Sequence, residues 1–354
     1  MRPQTPQRIL VIRLDRIGDV VLSTPVLRAL RDAYPSAFIA MMVRPACREL
    51  LEGHPCLNAV ILYDKDGRHR GIGSTIRFAR DLRRFRFDTV LVLHPSRRSH
   101  WIPWLAGIPA RIGWNRKSGW LLTRRVPHRK QEGAKHEAAY TLDLLRELGL
   151  TPPAPAPSIA LHPDAARRID ALLREAALST EQGGGPLVAI HPSASCRSKR
   201  WLPERFAHVA DRLVELRQAR IVLVAGEADA PHADAVARAM RHRSLNLAGR
   251  LSLGELACLL RRCTVLISND SGPVHVAAAV GTPVVALFGR NQRGLSPARW
   301  GPVGPRHVVL HKEVGCRVCL AHNCDIDFLC LSSIATEEVL GAVLPFLVDA
   351  PTVR

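Results

Sequence analysis

The residues best suited to chemistry lie in a polar loop of the C-terminal half, which has the sequence N-D-S-G-P-V-H over 269–275. The loop is flanked by two apolar runs typical of strands, and Pro273 is placed to begin a helix, where its missing N–H costs no hydrogen bond. The first turn of such a helix offers unpaired N–H groups and a positive dipole end, which suit a phosphate. Asp270 can bind sugar hydroxyls, and His275 lies on the first turn. An ordinary capped strand-to-helix turn would explain the same pattern.

Two more loops of this half follow predicted strands and carry polar residues. Residues 191–203 have the sequence H-P-S-A-S-C-R-S-K-R-W-L-P, in which Ser195 and Lys199 can reach a diphosphate, the lysine as a point charge. A solvated basic turn is the alternative. In the loop G-E-A-D, Glu227 can accept hydrogen bonds from a ribose or a base, although acidic residues in this position also cap helices.

In the N-terminal half, the first loop has the sequence R-L-D-R-I-G-D-V-V-L-S-T-P over 13–25. Gly18 permits a tight turn, and Asp19 then opens a predicted helix. A carboxylate in this position could act as a general base toward an acceptor hydroxyl. Helix capping, worth about 1 kcal/mol, is the alternative role for Asp19. The loop is not a G-x-G-x-x-G fingerprint, so we expect no nicotinamide cofactor.

The elements that position these loops alternate between strands and helices. Strands are predicted at 9–14, 38–43, 60–63, 89–94, 187–191, 220–225, 264–268 and 284–288, and helices at 19–33, 74–85, 137–148, 163–177, 203–216, 230–241, 253–261 and 273–280. The segment 151–158 contains four prolines and is typical of an extended linker. The pattern predicts an α/β protein with two doubly wound parallel sheets, and ligands at the carboxyl ends of the strands in a cleft between the domains.

Composition narrows the class of partner. The chain has 354 residues, 47% of them hydrophobic, and a formal net charge of +19. Residues 1–155 contain 27 Lys and Arg against 13 Asp and Glu, so most of the positive charge lies in this half. The positive electrostatic field of this half should attract an anionic partner, such as nucleic acid, anionic lipid or a phosphorylated acceptor. If the proteome of the organism is rich in arginine, this would explain much of the excess positive charge. It would not explain why that charge is concentrated in the N-terminal half. No apolar run is long enough to span a bilayer, and the N-terminus lacks a signal peptide, so we expect a cytoplasmic protein.

Taken together and in order, four motifs resemble glycosyltransferase family 9, the ADP-heptose:lipopolysaccharide heptosyltransferases and their relatives. They are R-I-G-D-V-V-L-S-T-P, the H-P-S-x-S loop ending in K-R-W, G-E-x-D and N-D-S-G-P-V-H-V-A-A-A-V-G-T-P. The resemblance spans residues 8 to about 345 and implies a GT-B fold, in which two Rossmann-like domains face a central cleft. One departure is Leu202, which stands between Trp201 and Pro203 where Trp-Pro is expected directly. We expect Trp201 to pack beneath its loop, but the insertion leaves its pose open.

The resemblance also implies domains and roles. It predicts an acceptor-binding domain at 1–155, a nucleotide-sugar-binding domain at 156–333 and a C-terminal helix at 334–354, with packing back on the N-terminal domain as one option for that helix. Asp19 corresponds to the proposed catalytic base, and the donor residues correspond to Ser195, Lys199, Glu227, Asp270, Ser271, Gly272 and His275. The implied reaction is an inverting heptose transfer from ADP-heptose to inner-core lipopolysaccharide that needs no catalytic metal.

Two D-x-D triplets, 64–66 and 325–327, match the pattern of metal-dependent glycosyltransferases. Neither is expected to follow a strand at the predicted cleft, so we interpret both as coincidental.

Four of the nine cysteines, Cys316, Cys319, Cys324 and Cys330, fall within 15 residues. This spacing resembles a compact tetrathiolate site for structural zinc or iron, with disulfides or unligated thiols as alternatives. Similar C-terminal clusters occur in part of the family. The other five, Cys47, Cys56, Cys196, Cys258 and Cys263, are interpreted as reduced small hydrophobic residues.

The acceptor side is predicted from basic residues near the expected cleft. Arg97, Arg98 and Arg116 are candidates for holding a phosphorylated lipopolysaccharide core, and the basic half could approach the anionic surface of the inner membrane. Alternatives are transfer of heptose to a protein acceptor, and a GT-B epimerase that needs no acceptor. A nucleic-acid-binding module would require a compact recognition motif or an aromatic platform, and the sequence has neither.

Overall fold

A computed structural model describes residues 5–176, 178, 184–316, 319 and 322–348. The chain divides into two compact units, unit 1 (Met1–Ala160) and unit 2 (Leu161–Arg354). Each described unit is built around one six-stranded parallel sheet with helices packed on it. The predicted α/β class with two doubly wound parallel sheets is confirmed.

The sheet of unit 1 has the strand order β3-β2-β1-β4-β5-β6. Its strands are β1 (Arg8–Ile12), β2 (Phe38–Val43), β3 (Ala59–Leu62), β4 (Thr89–Val92), β5 (Ala110–Asn115) and β6 (Arg124–Pro127). The central strands are apolar and buried on both faces, as parallel strands covered by helices must be. The order reverses between β1 and β4, and ligands of such sheets bind at the carboxyl ends of the strands beside this reversal.

In unit 1, two short helices, α1 and α2, stand where one was predicted. The α-helices of this unit are α1 (Ile17–Val21), α2 (Thr24–Ala33), α3 (Ile72–Leu82), α4 (Arg97–Leu105) and α5 (Glu137–Asp143). The predicted helix 19–33 is wrong because the chain breaks between α1 and α2, and Pro25 lies in the first turn of α2, where a proline costs no hydrogen bond. Helix α4 was not predicted, although Ser96 caps it by accepting a hydrogen bond from the Ser99 N–H at 3.0 Å.

Unit 2 repeats the same topology, with the strand order β12-β11-β10-β7-β8-β9. Its strands are β7 (Leu187–His191), β8 (Arg220–Leu223), β9 (Leu245–Asn246), β10 (Val265–Asn269), β11 (Val284–Phe288) and β12 (His307–His311). Here the order reverses between β7 and β10, and β8 lies on the other side of β7. The carboxyl ends of β7, β8 and β10, which precede three predicted donor loops, are therefore neighbours at one edge of the sheet.

The described helices of unit 2 cover both faces of this sheet. They are α6 (Pro163–Glu175), α7 (Pro203–Arg217), α8 (Ala230–Ala239), α9 (Leu253–Arg262), α10 (Gly272–Ala279), α11 (Pro297–Trp300), α12 (Leu329–Ser332) and α13 (Thr336–Val348). The apolar side of α13 packs on α7, β10 and β11 of its own unit and buries Val339 and Val343. These contacts lie within unit 2, whereas the sequence had left packing on the N-terminal domain as an option.

The units divide between Ala160 and Leu161 rather than at the predicted 155/156 boundary. The reason is local hydrogen bonding. The Ser158 N–H donates to Thr24 Oγ1 at 2.9 Å, and the Ala160 N–H donates to the Leu50 carbonyl at 2.9 Å. The last residues of the proline-rich segment therefore belong to unit 1. In the part of the chain that the structure covers, none of the helices combines the length and the apolar character needed to cross a membrane.

Candidate active site

In unit 2, one asparagine joins the two loops on either side of the sheet reversal. Asn269 is the last residue of β10, and its side chain is fully buried. Its amide nitrogen donates to the Pro192 carbonyl at 2.7 Å, while its amide oxygen accepts from the Trp201 N–H at 3.1 Å. Because both ends of the 192–201 loop are held by this one side chain, the loop that carries Ser195 and Lys199 is fixed against the loop that carries Asp270.

His191, the last residue of β7, makes a second connection between these loops. Its Nδ1 lies 3.0 Å from Ser271 Oγ and 3.3 Å from Ser268 Oγ. Burial lowers the pKa of His191 to about 4. The imidazole is therefore neutral near pH 7 and positions Ser271 at the start of α10 without adding charge.

At the carboxyl end of β10, one buried carboxylate is shared by two buried cations. Lys199 Nζ lies 2.7 Å from Asp270 Oδ2, and Arg290 Nη2 lies 3.4 Å from the same oxygen. Burial lowers the pKa of Lys199, and Asp270 opposes that effect. Lys199 and Asp270 were predicted from the sequence, whereas Arg290 was not. Arg290 follows β11 after one glycine, and its place at the end of a strand was a signal for it.

This arrangement carries more positive than negative charge in a buried position. Two cations face one carboxylate, and the N-terminus of α10 begins two residues after Asp270 with no acidic residue in its first turn. Arg290 Nε is buried and has no hydrogen-bond partner within the described parts of the chain. Buried cations are costly unless they are paired, so the cluster is suited to bind an added anion. A diphosphate fits both the charge and the helix terminus.

The extra residue Leu202 is exposed, and Lys199 before it contacts Asp270. The Leu202 side chain is 47% exposed, while Trp201 is buried and packs edge-on against Phe206 with 5.0 Å between the ring centroids. Trp201 Nε1 donates to the Ile334 carbonyl at 3.2 Å. The insertion therefore turns outward before Pro203 begins α7, and Trp201 lies beneath its loop as expected.

The remaining donor candidates all lie at this edge of the unit 2 sheet. Ser195 is exposed in the loop after β7, and Glu227 is exposed in the turn after β8, where its backbone packs against Gly249. Gly272 and His275 are in the first turn of α10, with His275 buried. The topology thus places the loops of the predicted donor residues next to one another. Lys199 contacts Asp270, and Ser271 contacts His191.

In unit 1, Asp19 belongs to a buried network of charged groups around Arg13. The Arg13 guanidinium lies 2.5 Å from Asp19 Oδ1, 2.7 Å from Asp15 Oδ1 and 3.1 Å from Glu137 Oε1. Lys130 Nζ lies 2.7 Å from the same Glu137 oxygen. Asp19 is not the N-cap of α1, which is Arg16, and no side-chain cap is formed. The capping interpretation of Asp19 is therefore wrong.

The network makes Asp19 more basic than an ordinary aspartate. Burial raises the pKa of Asp19; Arg13 opposes this effect, and the negative charges of Asp15 and Glu137 add to it. Asp15, by contrast, is held ionised because Arg13 and His94 together outweigh its burial and lower its pKa. Carboxylates in one cluster with pKa values moved apart can take different roles in proton transfer.

His94 links this network to the second strand of the reversal. It follows β4, and its Nδ1 lies 2.7 Å from Asp15 Oδ2. Because Asp15 follows β1, this contact spans the two carboxyl ends at the reversal of the sheet. The roles of Arg13, Asp15 and Glu137 were not predicted from the sequence. Only Arg13 and Asp15 had a signal there, as charged residues soon after the first strand.

A basic pocket of about 440 Å³ opens beside the network in unit 1. It is lined by Leu14, Lys65, His94, Ser96, Arg97, Arg98 and Lys117. Arg98 donates to the Lys65 carbonyl at 2.7 Å and to the Arg70 carbonyl at 2.6 Å, so its guanidinium is held in place. Of the three predicted acceptor residues, Arg97 and Arg98 line this pocket, while Arg116 is exposed next to the lining residue Lys117.

The first D-x-D triplet corrects one expectation. Residues 64–66 do follow a strand, β3, and the middle residue Lys65 lines the basic pocket. The two carboxylates are used locally: Asp64 accepts hydrogen bonds from the Gly67 and Arg68 N–H groups, and Asp66 pairs with Arg44 at 2.5 Å. In the second triplet, Asp327 pairs with Arg197 at 3.1 Å.

The four clustered cysteines are free thiols in the structure, so the disulfide alternative is not realised. The Phe328 N–H donates to Cys324 Sγ at 3.3 Å, and burial raises the pKa of Cys330, with smaller contributions from the other three cysteines. Within the described ranges, however, no three or more His, Cys, Asp or Glu side chains are close enough together to ligate one metal ion. The donor set suits a tetrathiolate, while the ligating geometry is not formed.

Comparison with known proteins covers most of the chain. A model of glycosyltransferase family 9 (heptosyltransferase) matches residues 75–329. Lipopolysaccharide heptosyltransferase 2 of Salmonella typhimurium is 30% identical over 302 residues, which cover 82% of this chain and 85% of that protein. A solved family 9 glycosyltransferase from Veillonella parvula matches with a TM-score of 0.85 and 27% identity over 97% of this chain and 98% of its own. The E. coli ADP-heptose lipopolysaccharide heptosyltransferase II matches with a TM-score of 0.80 and 26% identity over 97% and 99%.

Proposed function

Since the chain belongs to glycosyltransferase family 9 and is therefore an enzyme that transfers a sugar, we propose that it moves heptose from ADP-heptose to inner-core lipopolysaccharide. The heptosyltransferase names of its relatives support the sugar and the acceptor. The observation that carries the donor assignment is the buried pair of cations, Lys199 and Arg290, on the single carboxylate of Asp270. That cluster lacks one negative charge, and the diphosphate of ADP-heptose supplies it.

Unit 2 holds the donor in this proposal. Lys199, Arg290 and the N-terminal amides of α10 bind the diphosphate, and Ser195 and Ser271 add hydroxyl donors. Glu227 accepts hydrogen bonds from the ribose, and Asp270, Gly272 and His275 line the sugar diphosphate at the start of α10. These interactions strengthen as negative charge grows on the leaving ADP, which is where electrostatic stabilisation lowers the barrier. The chemistry requires no metal ion.

Unit 1 supplies the base and receives the acceptor. Asp19, whose pKa is raised by burial, takes the proton of the acceptor hydroxyl. The oxygen then bonds to the anomeric carbon on the face opposite ADP, the bond from that carbon to the diphosphate oxygen breaks, and its electron pair leaves with ADP. The configuration is inverted. Lys65, Arg97, Arg98 and Lys117 line a pocket suited to a phosphorylated or carboxylated core sugar, with Arg116 at its rim.

The test is incubation of the purified protein with ADP-heptose and heptose-deficient lipopolysaccharide, followed by mass spectrometry of the acceptor. We expect the acceptor to gain one heptose and ADP to be released in equal amount. An acceptor of unchanged mass under conditions where a heptosyltransferase 2 relative modifies the same material would contradict the proposal. Consumption of the donor without any acceptor would instead indicate an epimerase, and labelling of a protein would indicate a protein acceptor.

We also propose that the enzyme works in the cytoplasm at the anionic surface of the inner membrane, where a lipid-linked acceptor is found. The excess of Lys and Arg in residues 1–155 supports this location, because a basic face is attracted to anionic lipid headgroups.

The cysteine cluster is proposed as a structural metal site. Cys316, Cys319, Cys324 and Cys330 would supply four thiolates to one zinc or iron ion, and the N–H donated to Cys324 Sγ is the kind of hydrogen bond that supports a metal-bound sulfur. A metal would draw the four side chains together, since thiolate sites form with their ion rather than before it. The metal would cross-link the four cysteines and take no part in sugar transfer.

Elemental analysis tests the metal site. The purified protein should contain about one zinc or iron per chain, and Cys319→Ser with Cys324→Ser should remove it. The double change should also lower the thermal midpoint. Cys47→Ser with Cys56→Ser, which changes two buried cysteines of unit 1, is the control and should leave the metal content unaltered. Metal content that is absent from the parent, or equal in both double variants, would contradict the proposal.

A further inference from the structure

Three tryptophans form an exposed cluster on unit 1 that the proposed reaction does not use. Trp101 and Trp104 lie on α4, and Trp120 lies in the 3₁₀ turn Gly119–Leu121. Their rings meet edge to face, with centroids 5.5 Å apart for Trp101 and Trp104 and 6.0 Å apart for Trp101 and Trp120. Their exposed fractions are 38%, 43% and 59%, although tryptophan is normally one of the more buried residue types. We call this group the tryptophan cluster.

The surroundings of the tryptophan cluster are basic. Between Thr89 and Gln131 the sequence contains nine Lys and Arg and no Asp or Glu. Arg97 precedes Trp101 by one helical turn, and the Arg125 guanidinium donates to the Trp120 carbonyl at 3.3 Å. One part of unit 1 thus carries both exposed aromatic rings and arginines. No carboxylate from residues 89–131 neutralises the charge of these arginines.

This combination matches the chemistry of an anionic bilayer surface. The indole ring partitions into the headgroup region of a membrane, because one edge is apolar and the N–H is polar. Lys and Arg add an attraction of about 1 kcal/mol per residue near anionic lipid. A protein partner would need acidic residues of its own and a shaped apolar surface, whereas a bilayer needs only the aromatic rings and positive charge found here.

We propose that the tryptophan cluster is a membrane-docking surface for anionic phospholipid. It lies next to the basic pocket: Arg97 lines that pocket and is four residues before Trp101, and Lys117 lines it three residues before Trp120. Insertion of the rings at the headgroup level therefore holds the basic pocket near the membrane surface, where the sugars of a lipid-linked acceptor emerge. This consequence for catalysis rests on the proposed function, while the docking itself does not.

Vesicle binding without substrates tests the docking surface. The full-length protein is sedimented with vesicles of phosphatidylglycerol and phosphatidylethanolamine, and with vesicles of phosphatidylcholine alone. We expect binding to the anionic vesicles that weakens with salt, and a fall in the partition coefficient of at least about tenfold for Trp104→Glu with Trp120→Glu. Leu216→Glu, at an apolar position of unit 2 that is 40% exposed, is the matched control and should bind like the parent.

Several results would overturn the inference. They are failure of the parent to bind anionic vesicles, equal binding by the double variant, and self-association of the parent through the cluster, seen as a larger mass in light scattering that the double variant loses. Fluorescence quenching of the parent by brominated phosphatidylglycerol gives a readout that needs no substitution; absence of quenching would also count against docking.

An activity comparison separates this inference from the proposed function. The double variant should transfer sugar to a deacylated, water-soluble acceptor at the parental rate and lose at least about tenfold on acceptor embedded in anionic vesicles. Equal loss on both acceptors would place the tryptophans in the reaction rather than at the membrane. Absence of transfer by the parent would refute the proposed function and leave the vesicle-binding result standing.

Discussion

Replacing Asp19 with alanine should lower kcat for sugar transfer by a factor of about 10² to 10⁴, the usual contribution of a positioned general base. The variant should fold, because Arg13 keeps its ion pairs with Asp15 and Glu137 and is not left as an unpaired buried cation. ADP affinity should be unchanged, since the proposed diphosphate ligands all belong to unit 2. Asp19→Asn, which preserves the shape of the side chain and removes the base, should lower kcat by a similar factor and leave ADP affinity unchanged.

The matched control for this change is Asp32→Ala. Asp32 lies on α2, is exposed, and pairs with Arg28 at the helix surface. Its loss should leave kcat unaltered, because exposed pairs of this kind contribute little. Transfer by Asp19→Ala at the parental rate would remove Asp19 from the mechanism, and loss of ADP binding together with activity would indicate unfolding instead.

The pH profile of the parent provides an independent readout of the same residue. A base must be deprotonated to act, so kcat/KM should fall as the pH drops through the pKa of Asp19. Because burial and the charges of Asp15 and Glu137 raise that pKa, the acid limb should lie above the pH at which an ordinary aspartate is protonated. Glu137→Gln removes one of those charges and should move the limb to lower pH.

The fold could be predicted from the sequence because its signals are local. Strand and helix patterns alternate, and the polar residues after β1, β7 and β10 mark the ends of the strands that flank each reversal. Pro25 also indicated the break between α1 and α2. The apolar periodicity continues across this break, however, and therefore predicts one continuous helix. Lys199 and Asp270 could be proposed from the sequence because they belong to loops with an unusual density of polar residues.

The ion pairs that set the charge of each site could not be found in this way. Glu137 is 124 residues from Arg13 in the sequence, and Arg290 is 20 residues from Asp270. In each case the two residues form an ion pair. Such partners are fixed by the order of strands in the sheet and by helix packing, which no local pattern reports. Arg290 also changes the chemical interpretation: with Lys199 alone the carboxylate of Asp270 would balance the charge, and no anion would be required.

Replacing Lys199 with alanine should therefore weaken ADP binding about tenfold or more and lower kcat by a factor of about 10². The free energy of unfolding should change little, since Asp270 keeps Arg290 as a partner and the cluster becomes neutral. A neutral cluster no longer favours an added diphosphate, and it stabilises less of the charge that develops on ADP. Calorimetric titration with ADP and steady-state kinetics measure the two effects separately.

Arg290→Ala should weaken ADP binding in the same direction, because it removes the other surplus cation. Arg262→Ala is the control: this arginine lies in the last turn of α9, before the start of β10, is partly exposed and pairs with Asp170 on α6. Its loss should leave ADP affinity unchanged. The decisive comparison is the double variant Lys199→Ala with Arg290→Ala, which removes both cations and leaves the buried carboxylate of Asp270 alone at the site. This double variant should bind ADP more weakly than either single variant, and binding equal to that of the parent would exclude this cluster as the diphosphate site.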